Sequence, residues 1–286
     1  MKIARLAGSK VDSAMTRCFE ALDPEAPEDY RQLAAMLACD WKASAPSRVG
    51  LAGGQGAGKS TLGRLIESAC AGVGLRACVL GIDDFYLSDS ARRVLAERVH
   101  PLLETRGPPG THDMAQCCEV MEGLVRAAPV DIPVFDKGID DRAGTRRVRG
   151  PFDVVVLEGW CVGAGPEGEA ALQVPVNALE AELDPDGTWR RYVNDALAGE
   201  YARVWQSLAQ LVFLRVPGLE AVRRWRLEQE QTRPRWQRLD AAEIDRFVQH
   251  YERLTRAMLA TLPERADLTV DLAEDHSIAS LSYRVP

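Results

Sequence analysis

Residues 53–61 of this 286-residue chain read Gly53-Gly54-Gln55-Gly56-Ala57-Gly58-Lys59-Ser60-Thr61. This stretch fits the pattern G-x-x-x-x-G-K-[ST], in which glycines let successive backbone N–H groups converge on one anion. A short apolar run at residues 49–52 precedes it, and an amphipathic stretch follows it. A strand, a glycine-rich loop and a helix in this order are the context that the motif requires. The sequence therefore predicts a nucleotide-phosphate site at residues 53–61.

Lys59 and Ser60 supply the charged and metal-binding groups of this loop. A helix that begins at Lys59 adds the positive end of its dipole to the phosphate site. The Lys59 ammonium is a mobile charge for the β- and γ-phosphates, and the Ser60 hydroxyl can ligate Mg²⁺. We therefore predict ATP and Mg²⁺ as the bound groups. The chain has no Asn-Lys-x-Asp motif for guanine, which disfavours a GTPase.

Beyond this loop, four more short apolar runs occur at residues 77–82, 154–157, 211–214 and 268–270. Each is too short for a helix, and longer amphipathic segments separate most of them. This alternation is typical of parallel strands buried on both faces of an α/β domain. We predict a P-loop NTPase fold with a central, mainly parallel five-stranded sheet flanked by helices.

The chain before the first strand has a different pattern. Residues 11–45 are helical in periodicity, with a break at Asp23-Pro24-Glu25-Ala26-Pro27. No internal repeat, low-complexity tract or linker is evident. We predict a helical N-terminal extension over residues 1–46 and a P-loop domain over residues 47–286.

Composition excludes several classes of protein. Hydrophobic residues make up 46% and charged residues 27%, as in an ordinary globular protein. The formal charge of −7 disfavours a nucleic-acid-binding protein, because phosphate-backbone affinity needs a basic surface. There is no apolar stretch long enough to span a membrane, and the start lacks a signal-like apolar segment. The seven cysteines are scattered without C-x-x-C, which is typical of reduced thiols, so we expect a cytoplasmic protein.

Two acidic positions follow apolar runs and complete the predicted site. Glu158 comes directly after residues 154–157, where a P-loop fold holds its second Mg²⁺-associated carboxylate. Asp83 and Asp84 follow the second run, at the sheet edge where α/β proteins bind ligands. An enzyme that phosphorylates an alcohol needs a carboxylate to orient the hydroxyl, and Asp83 at the strand tip is the better candidate. Such acids can also simply cap the next segment or face solvent.

Further motifs resemble those of the plant-type D-glycerate 3-kinase family over roughly residues 45–275. They are Ile82-Asp83-Asp84-Phe85-Tyr86, His100-Pro101-Leu102-Leu103, Arg106-Gly107-Pro108-Pro109-Gly110-Thr111-His112-Asp113, Phe135-Asp136-Lys137, Leu157-Glu158-Gly159-Trp160-Cys161-Val162-Gly163 and Trp225-Arg226-Leu227-Glu228-Gln229-Glu230. The layout is more distantly similar to uridine kinase, phosphoribulokinase and bacterial pantothenate kinase. The resemblance implies a kinase that transfers the γ-phosphoryl of Mg·ATP to a small anionic alcohol, with D-glycerate as the leading acceptor and 3-phosphoglycerate as its product.

The resemblance also implies roles for individual residues. Asp83 becomes the base, and Glu158 becomes the acid associated with the metal, so that Ser60 and Glu158 are the predicted metal-binding residues. The predicted acceptor-binding residues are Asp84, Tyr86, Arg106, His112, Asp136 and Lys137. The basic members of this set suit a carboxylate or phosphate, although His112 can equally be a hydrogen-bonding loop histidine.

A cluster of six arginines predicts a helical lid. They are Arg223, Arg224, Arg226, Arg233, Arg235 and Arg238. A lid that brings arginine onto a transferring phosphoryl group needs this concentration of charge, whereas a solvated helix face explains the remainder. Arg226 lies in the family motif, and we predict it as catalytic together with Lys59 and Asp83. Two alternatives stay open: a kinase for a nucleoside, a pantothenate-like alcohol or a sugar acid, and a non-catalytic ATP-binding regulatory protein.

Overall fold

A computed structural model describes the chain over residues 13–231, 238 and 240–284. Within these residues the strands are β1 (Arg48–Gly53), β2 (Ala77–Gly81), β3 (Pro129–Asp136), β4 (Asp141–Arg149), β5 (Val154–Gly159), β6 (Gln210–Arg215), β7 (Leu268–Leu272) and β8 (Ile278–Tyr283). The main sheet has the order β2-β5-β1-β6-β7-β8, and β3 and β4 form a separate antiparallel hairpin. All neighbours in the main sheet are parallel except β7 and β8.

The five predicted strands are confirmed, but the sheet has six. The additional strand β8 is antiparallel and lies at the edge. Its sequence, Ile-Ala-Ser-Leu-Ser-Tyr, mixes polar and apolar residues because only part of it is covered by the core. The hairpin was also not predicted, since β4 is largely exposed and carries several arginines. The five predicted strands each contain a short apolar run, whereas β8 and β4 do not, which explains both omissions.

The helices lie between and beside the strands. They are α1 (Ser13–Glu20), α2 (Glu28–Ser44), α3 (Lys59–Gly72), α4 (Asp89–Arg98), α5 (Met114–Leu124), α6 (Glu169–Leu172), α7 (Ala178–Leu183), α8 (Thr188–Ala196), α9 (Ala202–Gln206), α10 (Leu219–Gln231) and α11 (Ala241–Thr261). Short 3₁₀ turns cover Ile82–Phe85 and Pro101–Glu104, and a π-helical turn covers Leu197–Tyr201. No helix of the described residues is long and apolar enough to cross a membrane.

Alternate residues of the central strands face two hydrophobic layers. Val154 and Val156 of β5 belong to one layer, whereas Val155 and Leu157 belong to the other. This is the packing that a parallel sheet covered by helices on both faces requires. The seven cysteines are free thiols distributed through the structure.

The N-terminal residues form the two helices that the periodicity predicts. Helices α1 and α2 flank the proline-containing break, and buried residues of α2, including Leu33 and Trp41, join the hydrophobic layer that covers one face of the sheet. The division at residue 46 stays a prediction. In the described residues this segment shares one core with the sheet, and it therefore reaches the phosphate-binding loop.

Candidate active site

The phosphate-binding loop joins β1 to α3 and is shaped by two glycines in left-handed conformations. Gly56 has φ +79° and Gly58 has φ +73°, values that residues other than glycine rarely adopt. Space is also restricted, because a Cβ at Gly56 would lie 2.7 Å from the Cβ of Trp225. At Gly58 it would lie 2.8 Å from the ring of Tyr30. The loop is therefore fixed both by its own backbone and by residues far away in sequence.

Tyr30 of α2 is a loop-supporting residue that the sequence analysis missed. Its hydroxyl donates a hydrogen bond of 2.8 Å to the backbone carbonyl of Ala57, and only 4% of Tyr30 is exposed. Burial raises the pKa of Tyr30, so the hydroxyl keeps the proton that it donates. No motif marks this position, because the contact depends on how α2 packs against the loop.

The charged and metal-binding groups of the loop meet the end of β5. The Lys59 ammonium donates to the carbonyl of Gly54 at 3.0 Å, and the Ser60 hydroxyl donates to Oε1 of Glu158 at 2.7 Å. Burial lowers the pKa of Lys59, and the charges of Glu158 and Asp83 oppose this shift. Hydroxyl and carboxylate oxygens are the hard ligands that Mg²⁺ prefers. The Ser60–Glu158 pair therefore fits a Mg²⁺ ion bound together with nucleotide phosphates.

Asp83 lies on the 3₁₀ turn that follows β2, and both of its carboxylate oxygens are hydrogen-bonded. Oδ2 accepts from the Lys137 ammonium at 2.6 Å, and Oδ1 accepts from the Tyr86 hydroxyl at 2.8 Å. Burial alone would raise the pKa of Asp83, but Lys137 and Tyr86 together hold it below its ordinary value. The carboxylate is thus kept ionised and fixed in orientation at the same sheet edge as the phosphate-binding loop.

The six predicted acceptor-binding residues occupy three different environments. Asp84, Tyr86, Arg106 and Lys137 line one cleft with Asp83 and the phosphate-binding loop. His112 is only 3% exposed and is not on the cleft wall. Asp136 is exposed and accepts a hydrogen bond from the backbone N–H of Gly138 at 2.7 Å, outside the cleft. Burial raises the pKa of Asp84, whereas Lys137 and Tyr86 lower the pKa of the neighbouring Asp83.

The cleft has a volume of about 640 Å³ and brings together groups from distant parts of the chain. Its walls include these residues that the sequence analysis did not select as site residues: Arg64, Glu67, Val79, Phe135, Trp160, Gln229, Phe247 and Tyr251. The aromatic members come from the hairpin, from the segment after β5 and from α11. Phe247 and Tyr251 are ordinary core residues by sequence pattern, whereas Phe135 and Trp160 lie in two of the family motifs without a predicted role. Only the tertiary packing places all four on the cleft wall.

Two of these aromatic residues hold the backbone beside Arg106. The Tyr251 hydroxyl donates to the carbonyl of Arg106 at 3.0 Å, and the Trp160 indole donates to the carbonyl of Gly107 at 3.1 Å. Gly107 has φ +119°, and a Cβ there would lie 2.3 Å from the Tyr251 oxygen. The Arg106 guanidinium pairs with Asp140. Arg106 is therefore presented to the cleft from a fixed backbone.

Arg226 reaches the cleft from α10, the helix that the arginine cluster predicts. Its guanidinium lies 4.9 Å from the centre of the Phe247 ring and pairs with Glu230. Arg223 pairs with Asp245 of α11, and Arg224 pairs with Glu274. The Arg238 guanidinium donates to the carbonyl of Gln231. The predicted lid residues Arg233 and Arg235 lie outside the described residues.

The chain resembles several known kinases. No protein-family model matches it. It is 30% identical over 238 residues to the uncharacterized kinase mug58 of Schizosaccharomyces pombe, a match covering 78% of this chain and 84% of that protein. It is 27% identical over 256 residues to the chloroplastic D-glycerate 3-kinase of Arabidopsis thaliana. That match covers 81% of this chain and 54% of the plant protein, so the chain spans about half of the plant protein's length.

Solved structures share the fold. A D-glycerate 3-kinase from Cryptococcus neoformans has a TM-score of 0.69 at 24% identity, over 95% of each chain. The YGR205w protein has a TM-score of 0.68 at 22% identity, over 96% of this chain and 100% of the other. The P-loop kinase fold that the sequence predicts is thereby confirmed.

Proposed function

Since this chain is an ATP-dependent kinase of the D-glycerate 3-kinase family, we propose that it transfers the γ-phosphoryl group of Mg·ATP to the hydroxyl of a small carboxylate-bearing alcohol, with D-glycerate as acceptor. The observation that carries this proposal is the position of Asp83. Its ionised carboxylate faces the same cleft as Lys59, Ser60 and Glu158. A protein that only bound or slowly hydrolysed ATP would not need a fixed carboxylate at the acceptor side.

The donor half of the site holds and neutralises the phosphates. Backbone N–H groups of residues 53–61 and the N-terminus of α3 would surround the β-phosphate. Lys59, whose ammonium donates to the Gly54 carbonyl in this structure, would reach the β- and γ-phosphates. Ser60 and Glu158 would hold Mg²⁺, which supplies charge neutralisation when it is bound. The residues of the chain itself then need only to orient the acceptor and exclude water.

The acceptor half orients one hydroxyl. In the proposed step, the acceptor oxygen forms a bond to the γ-phosphorus while the bond to the β–γ bridging oxygen breaks and ADP leaves. The hydroxyl proton passes to Asp83. Each carboxylate oxygen has two acceptor sites, so Asp83 can accept this hydrogen bond while it keeps those from Lys137 and Tyr86. A loose transition state asks for orientation rather than strong basicity, which suits a carboxylate with a lowered pKa.

Cations around the cleft support an acidic acceptor. Arg106 and Lys137 lie on the acceptor side, and Arg226 comes from α10. A guanidinium binds a carboxylate through two parallel hydrogen bonds, which fixes the orientation of a molecule as small as glycerate. Arg106 is the proposed carboxylate partner, because its backbone is held by Trp160 and Tyr251.

A nucleoside kinase is the second candidate, and the aromatic lining favours it. Phe135, Trp160, Phe247 and Tyr251 line the cleft and could stack on a base. Much of this aromatic surface is already in use, since Trp160 and Tyr251 pack edge to face at 4.8 Å and Tyr251 packs on Phe247 at 4.7 Å. A small hydroxy acid therefore remains the first choice.

Acceptor-dependent ADP release tests the proposal. The panel contains D-glycerate, L-glycerate, uridine, cytidine and pantothenate, each with saturating Mg·ATP. We expect D-glycerate to give the highest kcat/KM. The Arg106→Ala variant should raise the KM for D-glycerate while leaving the KM for ATP unchanged. Arg147→Ala is the matched control, because Arg147 is exposed on β4 and pairs with Asp131 away from the cleft. Faster turnover with a nucleoside, or no acceptor-dependent release at all, would overturn the assignment.

A further inference from the structure

A buried chain of aromatic side chains connects the interior of the protein to Asp83. It begins at Tyr201, which has no measurable exposure, continues through His112 and ends at Tyr86. Tyr201 and His112 are absent from the cleft wall, so substrate contact does not explain why these buried side chains are polar. Buried polar side chains are costly unless they are hydrogen-bonded, so the partners of Tyr201 and His112 matter.

The hydrogen bonds at Tyr201 determine where its proton lies. Its oxygen accepts from the backbone N–H of Gly110 at 2.9 Å and lies 2.6 Å from Nδ1 of His112. In the described part of the chain, Nδ1 is the only acceptor within reach of the Tyr201 hydroxyl. The hydroxyl therefore donates to Nδ1, and His112 carries its proton on Nε2, which is buried and makes no hydrogen bond to the described residues. The reverse tautomer would leave two groups without a partner, the Tyr201 hydroxyl proton and Nε2. Burial lowers the pKa of His112 to about 4, so this neutral form persists at ordinary pH.

The orientation of His112 is passed to Tyr86 by ring contact. The two rings stack with centroids 4.5 Å apart and planes at 29°, and their backbones form an isolated antiparallel bridge. A phenyl ring at position 112 could stack in the same way but could not accept from Tyr201. The hydrogen bond therefore fixes the rotation of the imidazole, and the imidazole fixes the plane of Tyr86.

We propose that Tyr201 and His112 are positioning residues for phosphoryl transfer, which hold the Tyr86 hydroxyl in place so that it orients the carboxylate of Asp83. The Tyr86 hydroxyl contacts Asp83 Oδ1 at 2.8 Å, opposite the Lys137 contact at Oδ2. Tyr201 lies in the π-helical turn Leu197–Tyr201, an irregularity that occurs often at functional sites. This inference rests on the proposed function, because it assigns Asp83 to the acceptor hydroxyl.

The test removes the Tyr201 hydroxyl and follows its effect through Tyr86. Misplacement by about 1 Å can cost roughly a hundredfold in rate, so Tyr201→Phe should lower kcat between about tenfold and a hundredfold. The KM for ATP should not change. Tyr192→Phe is the matched control, since Tyr192 also packs against Gly110 but its hydroxyl is outside this hydrogen-bonded chain. Circular dichroism at the assay temperature shows whether each variant is folded.

A double-mutant cycle separates positioning from general damage. If Tyr201 acts through Tyr86, the double variant Tyr201→Phe/Tyr86→Phe should lose no more turnover than Tyr86→Phe alone, because residues acting as a unit are not additive. Additive losses, or unchanged kcat in folded Tyr201→Phe, would overturn the proposal.

A second measurement needs neither the variants nor an acceptor. The chain has four histidines, so long-range ¹H–¹⁵N spectra can assign the tautomer of each imidazole. We expect His112 in the neutral Nε2–H form in the unmodified protein, and a Nδ1–H or mixed form would overturn the proposal. A chain that phosphorylates no acceptor but gives the expected spectrum would instead refute the proposed function and leave the Tyr201–His112 geometry standing.

Discussion

Replacing Asp83 by asparagine removes one charge from the cleft with little change of shape. The asparagine oxygen can still accept from the Lys137 ammonium, and its amide can donate to the oxygen of Tyr86, so both neighbours keep a partner. Asparagine cannot take up the proton of the alcohol, so the variant loses its general base. General-base assistance is worth about a hundred- to ten-thousandfold in rate. That range corresponds to about 3 to 5 kcal/mol of transition-state stabilisation.

The assay is steady-state ADP release with saturating ATP and acceptor, repeated over a range of Mg²⁺ concentrations. ATP affinity should hardly change in Asp83→Asn, because residues 53–61 hold the phosphates. If Asp83 is the base, the variant loses turnover even at saturating Mg²⁺. If Asp83 instead orders Mg²⁺ through water, the variant needs a higher Mg²⁺ concentration for half-maximal rate. Asp131→Asn on the hairpin is the control, since Asp131 is exposed and contacts Arg147. If Asp83→Asn keeps more than about a tenth of parental turnover with saturating metal and acceptor, Asp83 is not the base.

The other predictions concern the donor half of the site and the charge of Asp83. Lys59→Ala should abolish phosphoryl transfer and weaken ATP binding while the protein stays folded. Calorimetry that finds parental affinity for Mg·ATP would contradict the phosphate-binding role of Lys59. Glu158→Gln should lose turnover more than nucleotide affinity, and activity should require Mg²⁺ or Mn²⁺; full activity in excess chelator would refute this. Lys137→Met removes the positive charge that lowers the pKa of Asp83. The pKa should then rise, so the acid limb of kcat/KM should move to higher pH, and an unmoved limb would mean that another group controls it.

The phosphate-binding loop illustrates what is readable from local sequence. Its glycines, Lys59 and Ser60 lie within nine consecutive residues, and the backbone conformation that they allow is a local property. The five predicted strands are equally readable, because each contains a short run of apolar residues. The order of the strands in the sheet is not readable from local sequence. Strand β5 lies between β2 and β1, and this position places Glu158 beside Ser60. The pattern predicts an acid at a strand end, but only the assembled sheet shows which hydroxyl it meets.

The acceptor side depends far more on packing. His112 lies in a motif that also contains Arg106, yet Arg106 faces the cleft and His112 faces the interior. Asp136 is adjacent to Lys137, but Lys137 contacts Asp83 and Asp136 turns outward to its own loop. The side chains of adjacent residues at a strand end or in a turn point in different directions. Which of these side chains faces the cleft depends on the elements that pack around the turn.

The fold class, the phosphate-binding loop and the acids at the strand ends are all predictable from local sequence. These follow from backbone freedom and from the periodicity of apolar residues, both of which act over a few residues. Only the tertiary structure brought Tyr30 from α2 to the loop, Tyr251 from α11 to Arg106, and Tyr201 to His112. Each of these contacts spans between 27 and 145 positions of the chain. A hydrogen bond depends on the distance between its atoms in space, and at such separations the burial of apolar faces sets that distance.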